Sequence, residues 1–280
     1  MNIRKPAVAG SFYPSDSLRL TKLIDDCYLH QLGPGRLPPA ERGSADIVAF
    51  VVPHAGYEYS GPVAAHSYLC ASSLPDPDLI VIVAPNHYGV GSGVSTYSGG
   101  EWETPLGRMK VDGEAAAALA KASGVVDFDP ASHRIEHSLE VQLPFLQRLY
   151  GSAIPFVPIS LSFQDIQTSR DVARGVASVL KGKKALLIAS SDFTHYEPVD
   201  QAMRKDLALI HDIELMDVDS FYSTLERLQV TACGFGAIAT VIQASKALGF
   251  KKGELLKYAS SGDTTGDYGQ VVGYCSLRFV

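Results

Sequence analysis

Residues 47–56 read IVAFVVPHAG, a run rich in β-branched side chains that ends in a proline and a histidine. Two later segments, LIVIVAPNH at 79–87 and ALLIASSDFTH at 185–195, repeat this change from apolar to polar residues. Short continuous apolar runs are typical of strands that are covered on both faces, as they are in parallel sheets. The three runs therefore predict buried strands over Ile47–Val52, Leu79–Ala84 and Ala185–Ala189.

Segments with helical spacing alternate with these strands. They cover residues of about 61–73, 113–122, 137–150, 165–180, 198–215 and 233–248. Weaker strand patterns lie at Ile154–Ile159, Leu255–Tyr258 and Val271–Phe279. The alternation predicts a single layered α/β domain over residues 1–280, with a central, mostly parallel or mixed sheet and helices on both faces. Residues 31–44, rich in proline and glycine, predict an exposed loop rather than a linker between domains.

Composition and charge narrow the class of protein. Of the 280 residues, 46% are hydrophobic, which is enough apolar chain to bury a large core. The formal net charge of −6 gives no overall positive field, so we expect no nucleic-acid partner. Each apolar run is far shorter than the ~20 residues that a membrane helix needs, and no signal-peptide pattern opens the chain. Four widely spaced cysteines without a CxxC pair are typical of reduced thiols, so we expect a cytoplasmic protein.

Two histidines stand where predicted strands end. His54 follows Ile47–Val52 and His87 follows Leu79–Ala84. In open α/β sheets, residues placed just after neighbouring strands converge in the crevice beyond the strand ends. Because neutral imidazole is the commonest protein ligand of transition metals, we interpret both histidines as metal ligands. The alternative is that each is a loop histidine that hydrogen-bonds to backbone at a strand end.

A cysteine offers a third ligand. Cys233 lies in TACGFGAI, just before an apolar helical segment, where the helix dipole favours the thiolate that binds metal. Free cysteine is also a common core residue, and the local pattern favours neither interpretation.

Asp192 and His195 follow the third strand and stand three residues apart. They predict a carboxylate–imidazole pair in which the aspartate orients or charges the histidine for proton transfer. In the alternative, Asp192 caps the following turn and His195 is a surface residue. The position of His195 after the same kind of strand as the two candidate ligands favours the acid/base role.

Four more residues are candidates for the surroundings of the pocket. His137 opens a predicted helix, and we expect it either to face the pocket or to cap that helix. Tyr57 and Trp102 offer aromatic surface that suits a small polar ligand, unless they are packing residues. Asp263 lies in SSGDTTGD at 260–267, a polar segment without the lysine of a P-loop, which we expect to border the site.

Seven segments between residue 4 and about 238 carry a resemblance to a known family. They are, in order, RKPAVAGSFYP, VVPHAGYEYSG, APNHYG, TPLGRMKVD, EHSLEVQLPFL, SSDFTHY and TACGFGAI. Together they resemble the Memo-like family (mediator of cell motility; also the B component of the AmmeMemoRadiSam gene cluster). The set is highly specific, whereas PHAGY or SSDF alone would not be.

The resemblance implies a fold similar to that of class III extradiol ring-cleaving dioxygenases, in which two histidines and a carboxylate hold a metal at the strand ends. In the family pattern, His54 and His87 match the histidine ligands, and Cys233 matches the cysteine that Memo proteins carry in place of the carboxylate. Asp192 and His195 match the remaining polar pocket residues, with His195 in the acid/base role. A thiolate is softer than a carboxylate and favours zinc, copper(I) or iron in a different redox setting, so ring cleavage is not inherited with the fold.

Three functions follow from these residues. The first is a metal-dependent redox enzyme of unknown substrate that holds one transition metal ion, iron or copper before zinc. The second is a zinc hydrolase in which metal-bound water is the nucleophile. The third is a non-catalytic metal-binding or peptide-binding scaffold. In each case we expect a small-molecule or peptide ligand; the sequence does not indicate an oligomeric state.

Overall fold

The computed structural model describes residues 2–39 and 43–280, and the elements below are those of this part of the chain. The strands β1 to β12 are Ile3–Arg4, Ile47–Val52, Leu79–Pro85, Val94–Thr96, Gly100–Thr104, Gly107–Val111, Asp127–Phe128, Phe156–Leu161, Ala185–Ser190, His195–Glu197, Gly253–Ser260 and Val271–Phe279. The helices α1 to α9 are Ser17–Leu29, Tyr57–Ala71, Gly113–Ser123, Leu143–Tyr150, Ile166–Leu180, Val199–Glu214, Val218–Leu228, Phe235–Leu248 and Gly262–Thr265. Two 3₁₀ turns lie at Pro130–His133 and Glu140–Gln142.

The sheet is mixed, with a parallel centre and both parallel and antiparallel pairs towards its margins. Its main path runs β1-β5-β6-β8-β3-β9-β2-β12-β10, with β11 on β12 and β4 and β7 off the path. Strand β3 pairs in parallel with β8 and β9, and β9 pairs in parallel with β2. Strand β12 is antiparallel to β2, and β5 is antiparallel to β6. This mixed sheet confirms the predicted α/β fold.

Apolar side chains cover both faces of the central strands. Val81 and Val83 of β3 pack into one core with side chains from α3, α5, α6 and α8. Ile80 and Ile82 alternate with them and pack into a second core with side chains from α1, α2 and α4. Helices therefore lie on both faces, as predicted, and the burial of both faces explains why these strands read as uninterrupted apolar runs.

The predicted element bounds differ from the observed ones where local chemistry interrupts a pattern. The predicted helix at 137–150 becomes a 3₁₀ turn at Glu140–Gln142 followed by α4, because Pro144 has no amide hydrogen for the Glu140 carbonyl. Helix α8 begins at Phe235, so Cys233 precedes it. Helices α1 and α7 and the β5–β6 hairpin were not predicted. Residues 40–42 of the predicted loop lie outside the described residues.

No helix of the described chain is long and apolar enough to cross a membrane.

Candidate metal centre

The carboxyl ends of the central parallel strands bring the candidate residues together. Val52 of β2 lies beside Ser190 of β9, so the chain leaves both strands at neighbouring points. The backbone N–H of His54 donates to Asp192 Oδ1 at 2.8 Å. Strand β3 lies on the other side of β9 and places His87 at the same edge of the sheet. The edge thus collects residues from three separate strands, as the sequence pattern predicts.

Cys233 lies at this edge although it comes from the loop before α8. Its N–H donates to the Asp192 carbonyl oxygen at 3.2 Å. The next residue, Gly234, packs so closely on the end of β9 that an added Cβ would lie 2.4 Å from the Ser190 carbonyl oxygen. Glycine at 234 therefore allows the cysteine loop to rest on the strand end.

His54, His87 and Cys233 form a group that can hold a metal ion. One ligand atom from each residue lies within 4.8 Å of the others. The Sγ atom of Cys233 is 3.2 Å from His54 Nε2, and the two imidazole centroids are 5.2 Å apart. Metal bonds of about 2.0 Å to nitrogen and about 2.3 Å to sulfur would separate nitrogen and sulfur by about 3.5 Å in a tetrahedral site. The donor set therefore fits a transition metal ion.

His54 is the most deeply buried of the three. It is 1% exposed, and burial lowers its pKa well below the ordinary value, with further lowering by the nearby histidines. The ring is thus neutral, which is the form that ligates metals. Its Nδ1 lies 2.8 Å from Ser190 Oγ, so Nε2 is the ring atom that faces Cys233.

Glu136 holds His87 in place. Its Oε1 accepts a hydrogen bond from His87 Nδ1 at 2.9 Å, and its Oε2 accepts one from the His87 backbone N–H at 2.6 Å. Burial raises the pKa of Glu136, but the hydrogen bond and charge of His87 outweigh burial and lower it to about 2. An ionised carboxylate keeps the proton on Nδ1 and leaves Nε2 for a metal. The side chain of His87 is 29% exposed and forms the open side of the group.

Glu136 and His137 also form a second metal-capable set with His87. The Glu136 carboxylate is already engaged by His87 and by the Ser138 N–H at 2.9 Å. We therefore interpret Glu136 as an anchor of His87 rather than as a ligand.

His137 faces the pocket, which was one of its two predicted positions. Its ring stacks on His87 with centroids 4.5 Å apart and meets His54 edge-on at 5.4 Å. Phe12 of the N-terminal segment packs on it at 4.7 Å. Burial lowers the pKa of His137 to about 4, so this ring is also neutral at physiological pH.

The Cys233 thiol does not have the low pKa that its position near a helix end predicts. Burial raises its pKa well above the ordinary value, and the negative charge of Asp192 adds to the rise. Burial and the charge of Asp192 therefore oppose the thiolate in the metal-free protein, which is contrary to the direction expected from the helix end. A bound cation would reverse the balance, because it favours the thiolate directly.

Asp192 and His195 do not form the predicted pair. Within the described chain their side chains share no hydrogen bond: Asp192 accepts from the His54 backbone, and His195 Nδ1 donates to the Thr231 carbonyl oxygen at 3.0 Å. The prediction of direct contact was wrong because Thr231 holds both the backbone N–H and the ring of His195. The two groups still interact electrostatically. Burial raises the pKa of Asp192, while the His54 N–H and the charge of His195 lower it.

Tyr57 and Trp102 belong to the packed interior. The Tyr57 hydroxyl donates to the Val141 carbonyl oxygen at 2.6 Å. Trp102 is 0% exposed in β5, with its ring under the Arg4 guanidinium at 4.2 Å and against His133. A side chain without exposed surface cannot line an open pocket, so the prediction for Trp102 was wrong, and the packing alternative holds for both aromatic residues.

Asp263 lies at the start of the short helix α9. Its Oδ2 accepts from the Ser260 N–H at 2.7 Å and from the Ser260 hydroxyl at 3.1 Å. The carboxylate stabilises a turn and forms no hydrogen bond to a candidate ligand within the described residues. This role in the turn does not test the expectation that the segment borders the site, which stays a prediction.

Sequence reasoning missed Glu136, Ser190 and Gln142, which support the candidate ligands. All three are buried. A buried acid or amide must have hydrogen-bonding partners, so the polar positions inside the otherwise apolar segments EHSLEVQLPFL and ALLIASS were the available signal.

Comparison with known proteins agrees with the resemblance in the sequence. A family model described as Memo-like protein matches residues 4–278. The chain belongs to the Memo-like family. A MEMO1 family protein of Methanopyrus kandleri is 48% identical over 278 residues, which cover 99% of this chain and 98% of the relative. A MEMO1 family protein of Nitrosopumilus maritimus is 46% identical over 278 residues, which cover 99% of this chain and 100% of the relative.

A solved structure has a related fold. The crystal structure of an uncharacterised protein from Escherichia coli K12 matches this Memo-like family member with a TM-score of 0.55 at 15% identity. The match covers 83% of this chain and 99% of the other. At this level of identity the match supports the α/β fold alone.

Proposed function

We propose that this Memo-like family member binds one transition metal ion through His54, His87 and Cys233 and uses it in redox chemistry on a small molecule. The convergence of the three ligand atoms within 4.8 Å at the carboxyl edge of the sheet carries the proposal. Two neutral imidazoles and one thiolate suit iron, copper or zinc. Of these, iron and copper supply an electron-transfer couple, which is the chemistry that the ion would contribute.

The open side of the group supports a reacting metal rather than a structural one. Structural zinc sites are closed by four protein ligands, whereas catalytic sites keep a position for water or substrate. Three residues supply the candidate ligands, and His87 is partly exposed. A small ligand would therefore approach on the His87 side.

Two groups beside the ligands are suited to hold or move a proton. Burial raises the pKa of the Asp192 carboxyl towards neutrality. His195 donates from Nδ1 to a backbone carbonyl, so its Nε2 is the atom available for proton exchange. The His195 ring is only partly buried and is accessible to solvent, whereas Asp192 is buried.

Metal titration with matched variants tests the binding part of the proposal. We expect the unsubstituted protein to bind one Zn²⁺ or Fe²⁺ per chain. We expect His54→Ala and His87→Ala each to weaken binding by at least about a hundredfold, since each removes a direct ligand. His211→Ala, which changes an exposed histidine of α6, is the control. Unchanged affinity in both ligand variants would overturn the site.

A separate experiment tests the redox part. Protein loaded with Fe²⁺ without oxygen is exposed to O₂ and then to dithionite while its electron paramagnetic resonance spectrum is recorded, with Zn²⁺-loaded protein as the redox-silent control. Reversible appearance of an Fe³⁺ signal supports the redox function. A bound iron that stays Fe²⁺ in O₂ would contradict it and favour a binding module.

A further inference from the structure

The amide of Gln142 has one orientation that satisfies its neighbours. Its Nε2 lies 3.0 Å from the Pro53 carbonyl oxygen and 2.8 Å from Ser190 Oγ, and its Oε1 accepts from the Tyr68 hydroxyl at 2.5 Å. A carbonyl oxygen can only accept, so the nitrogen and not the oxygen of the amide must face Pro53. One hydrogen of the Nε2 group then goes to Pro53 and the other to Ser190.

The direction of the Ser190 hydroxyl proton is fixed as well. Ser190 Oγ lies 2.7 Å from the Ser138 carbonyl oxygen, which can only accept. The single hydroxyl proton therefore points at Ser138, and the lone pairs of Oγ face its other two neighbours. These are the Gln142 amide hydrogen and, at 2.8 Å, His54 Nδ1.

His54 must then donate from Nδ1. With its own proton used, Ser190 can only accept from the imidazole, so the ring proton lies on Nδ1 and the lone pair on Nε2. That lone pair faces Cys233 Sγ at 3.2 Å. If the proton lay on Nε2 instead, Ser190 would turn its hydroxyl to His54 and leave the Ser138 carbonyl without this donor.

Burial makes the arrangement specific. Tyr68, Ser138, Gln142 and Ser190 are all buried, so water does not replace a lost partner without a change in structure. His87 is fixed differently, through the ionised carboxylate of Glu136. The two candidate histidine ligands therefore depend on separate supports, one neutral and one charged.

We propose that Ser190, held by Gln142, is the positioning residue that keeps the ring proton of His54 on Nδ1 and presents Nε2 to the metal. The part of this inference that concerns the metal rests on the proposed function. The part that concerns the proton does not, because it follows from hydrogen bonds within the protein.

Nuclear magnetic resonance of ¹⁵N-histidine-labelled, metal-free protein tests the proton position directly. We expect His54 Nδ1 to show the shift of a protonated ring nitrogen and Nε2 that of an unprotonated one. The reverse pattern would overturn the inference, and this measurement requires no substitution in the core. His54→Gln identifies which signals belong to His54.

Zn²⁺ affinity of variants tests the positioning role. We expect Ser190→Ala to lose about 10- to 100-fold in affinity and Gln142→Met to lose less, since Ser190 touches the ligand and Gln142 acts through it. Ser160→Ala is the matched control, because Ser160 is a buried strand-end serine of β8 whose Oγ has no hydrogen-bond partner in the described chain. In Ser190→Ala, the His54 spectrum should also show both tautomers.

The outcomes separate the two proposals. Unchanged Zn²⁺ affinity and an unchanged His54 spectrum in Ser190→Ala would overturn the positioning role, even if the metal site itself is correct. Failure of the unsubstituted protein to bind Zn²⁺ would overturn the proposed function, whereas the metal-free spectrum would still decide where the proton lies.

Discussion

His54 Nε2 lies 3.2 Å from Cys233 Sγ, although 179 positions separate the two residues in the chain. The contact depends on the parallel pairing of β2 with β9 and on Gly234, which lets the cysteine loop pack against the end of β9. A buried imidazole lone pair and a half-buried thiol at this separation form a hydrogen bond while the thiol keeps its proton, and they can chelate a metal ion once the proton leaves. The fold thus places a proton and a metal ion in competition for the same two atoms.

Metal binding is expected to release a proton from Cys233. Burial raises the thiol pKa well above neutrality, whereas the metal-bound form is the thiolate. Because the proton must leave, the apparent Zn²⁺ affinity should rise by about tenfold per pH unit between about pH 6 and pH 8. Calorimetric titration in buffers of different ionisation enthalpy measures the release, and Cys233→Ser should lack this pH dependence. A constant affinity over the range would contradict the role of Cys233.

Glu136→Gln is expected to weaken metal binding without removing a ligand. The change keeps the shape of the side chain but removes the charge that accepts from His87 Nδ1 at 2.9 Å. We expect a loss of about 10- to 100-fold in Zn²⁺ affinity, the usual effect of losing such an outer partner. Glu103→Gln, at an exposed ion pair with Lys5, should change the affinity by less than about twofold. Equal effects of the two substitutions would contradict the anchor role of Glu136.

His195→Ala is expected to separate binding from chemistry. His195 donates to Thr231 and is not part of the metal-capable group, so Zn²⁺ affinity should stay within about tenfold of the unsubstituted protein. The pH dependence of metal-centred oxidation, followed by stopped-flow absorbance, should change because a proton-exchanging group is lost. A loss of affinity comparable to that of His54→Ala would instead make His195 a direct ligand.

Asp206 is expected to make folding less favourable as the pH rises. Its carboxylate accepts from the Thr194 hydroxyl at 2.6 Å and from the Tyr258 hydroxyl at 2.8 Å. Burial nevertheless raises its pKa to about 6, whereas an aspartate in an unfolded chain titrates near ~3.9. The folded state binds this proton more tightly. The contribution of Asp206 is therefore most favourable below about pH 4 and is lost as the pH rises to about 6, by about 3 kcal/mol in total.

Urea unfolding of Asp206→Asn measures this contribution. The variant should gain stability relative to the unsubstituted protein as the pH rises from 4 to 7, because an amide has no charge to bury. Asp219→Asn, at an exposed position of α7, should show no such trend. A stability difference for Asp206→Asn that is independent of pH would contradict the raised pKa.

The sequence was sufficient to predict the parts of the structure that depend on local pattern. Strands β2, β3 and β9 are covered on both faces, so nearly all of their side chains are apolar and they appear in the sequence as continuous apolar runs. The parallel pairing of these strands then brings His54 and His87 to one edge, which strand-end position alone predicts.

The supporting contacts depend on packing between distant segments and could not be predicted in the same way. Glu136 meets His87 across 49 positions, and the partners of His195 lie 36 positions away at Thr231. Only tertiary structure shows that Thr231, and not Asp192, accepts from the His195 ring. The raised pKa of the Cys233 thiol has the same origin, since the nearby helix end was visible in the sequence and the desolvation of the thiol by distant segments was not.

X-ray absorption at the metal edge of Zn²⁺-loaded protein tests the central claim most directly. The three-residue site predicts one sulfur scatterer at about 2.3 Å and two imidazole nitrogens at about 2.0 Å, with an additional light atom from water or substrate. Cys233→Ser should remove the sulfur shell and leave the imidazole shells. A spectrum of the unsubstituted protein with bound zinc but without a sulfur shell would contradict the assignment of His54, His87 and Cys233 as the metal site.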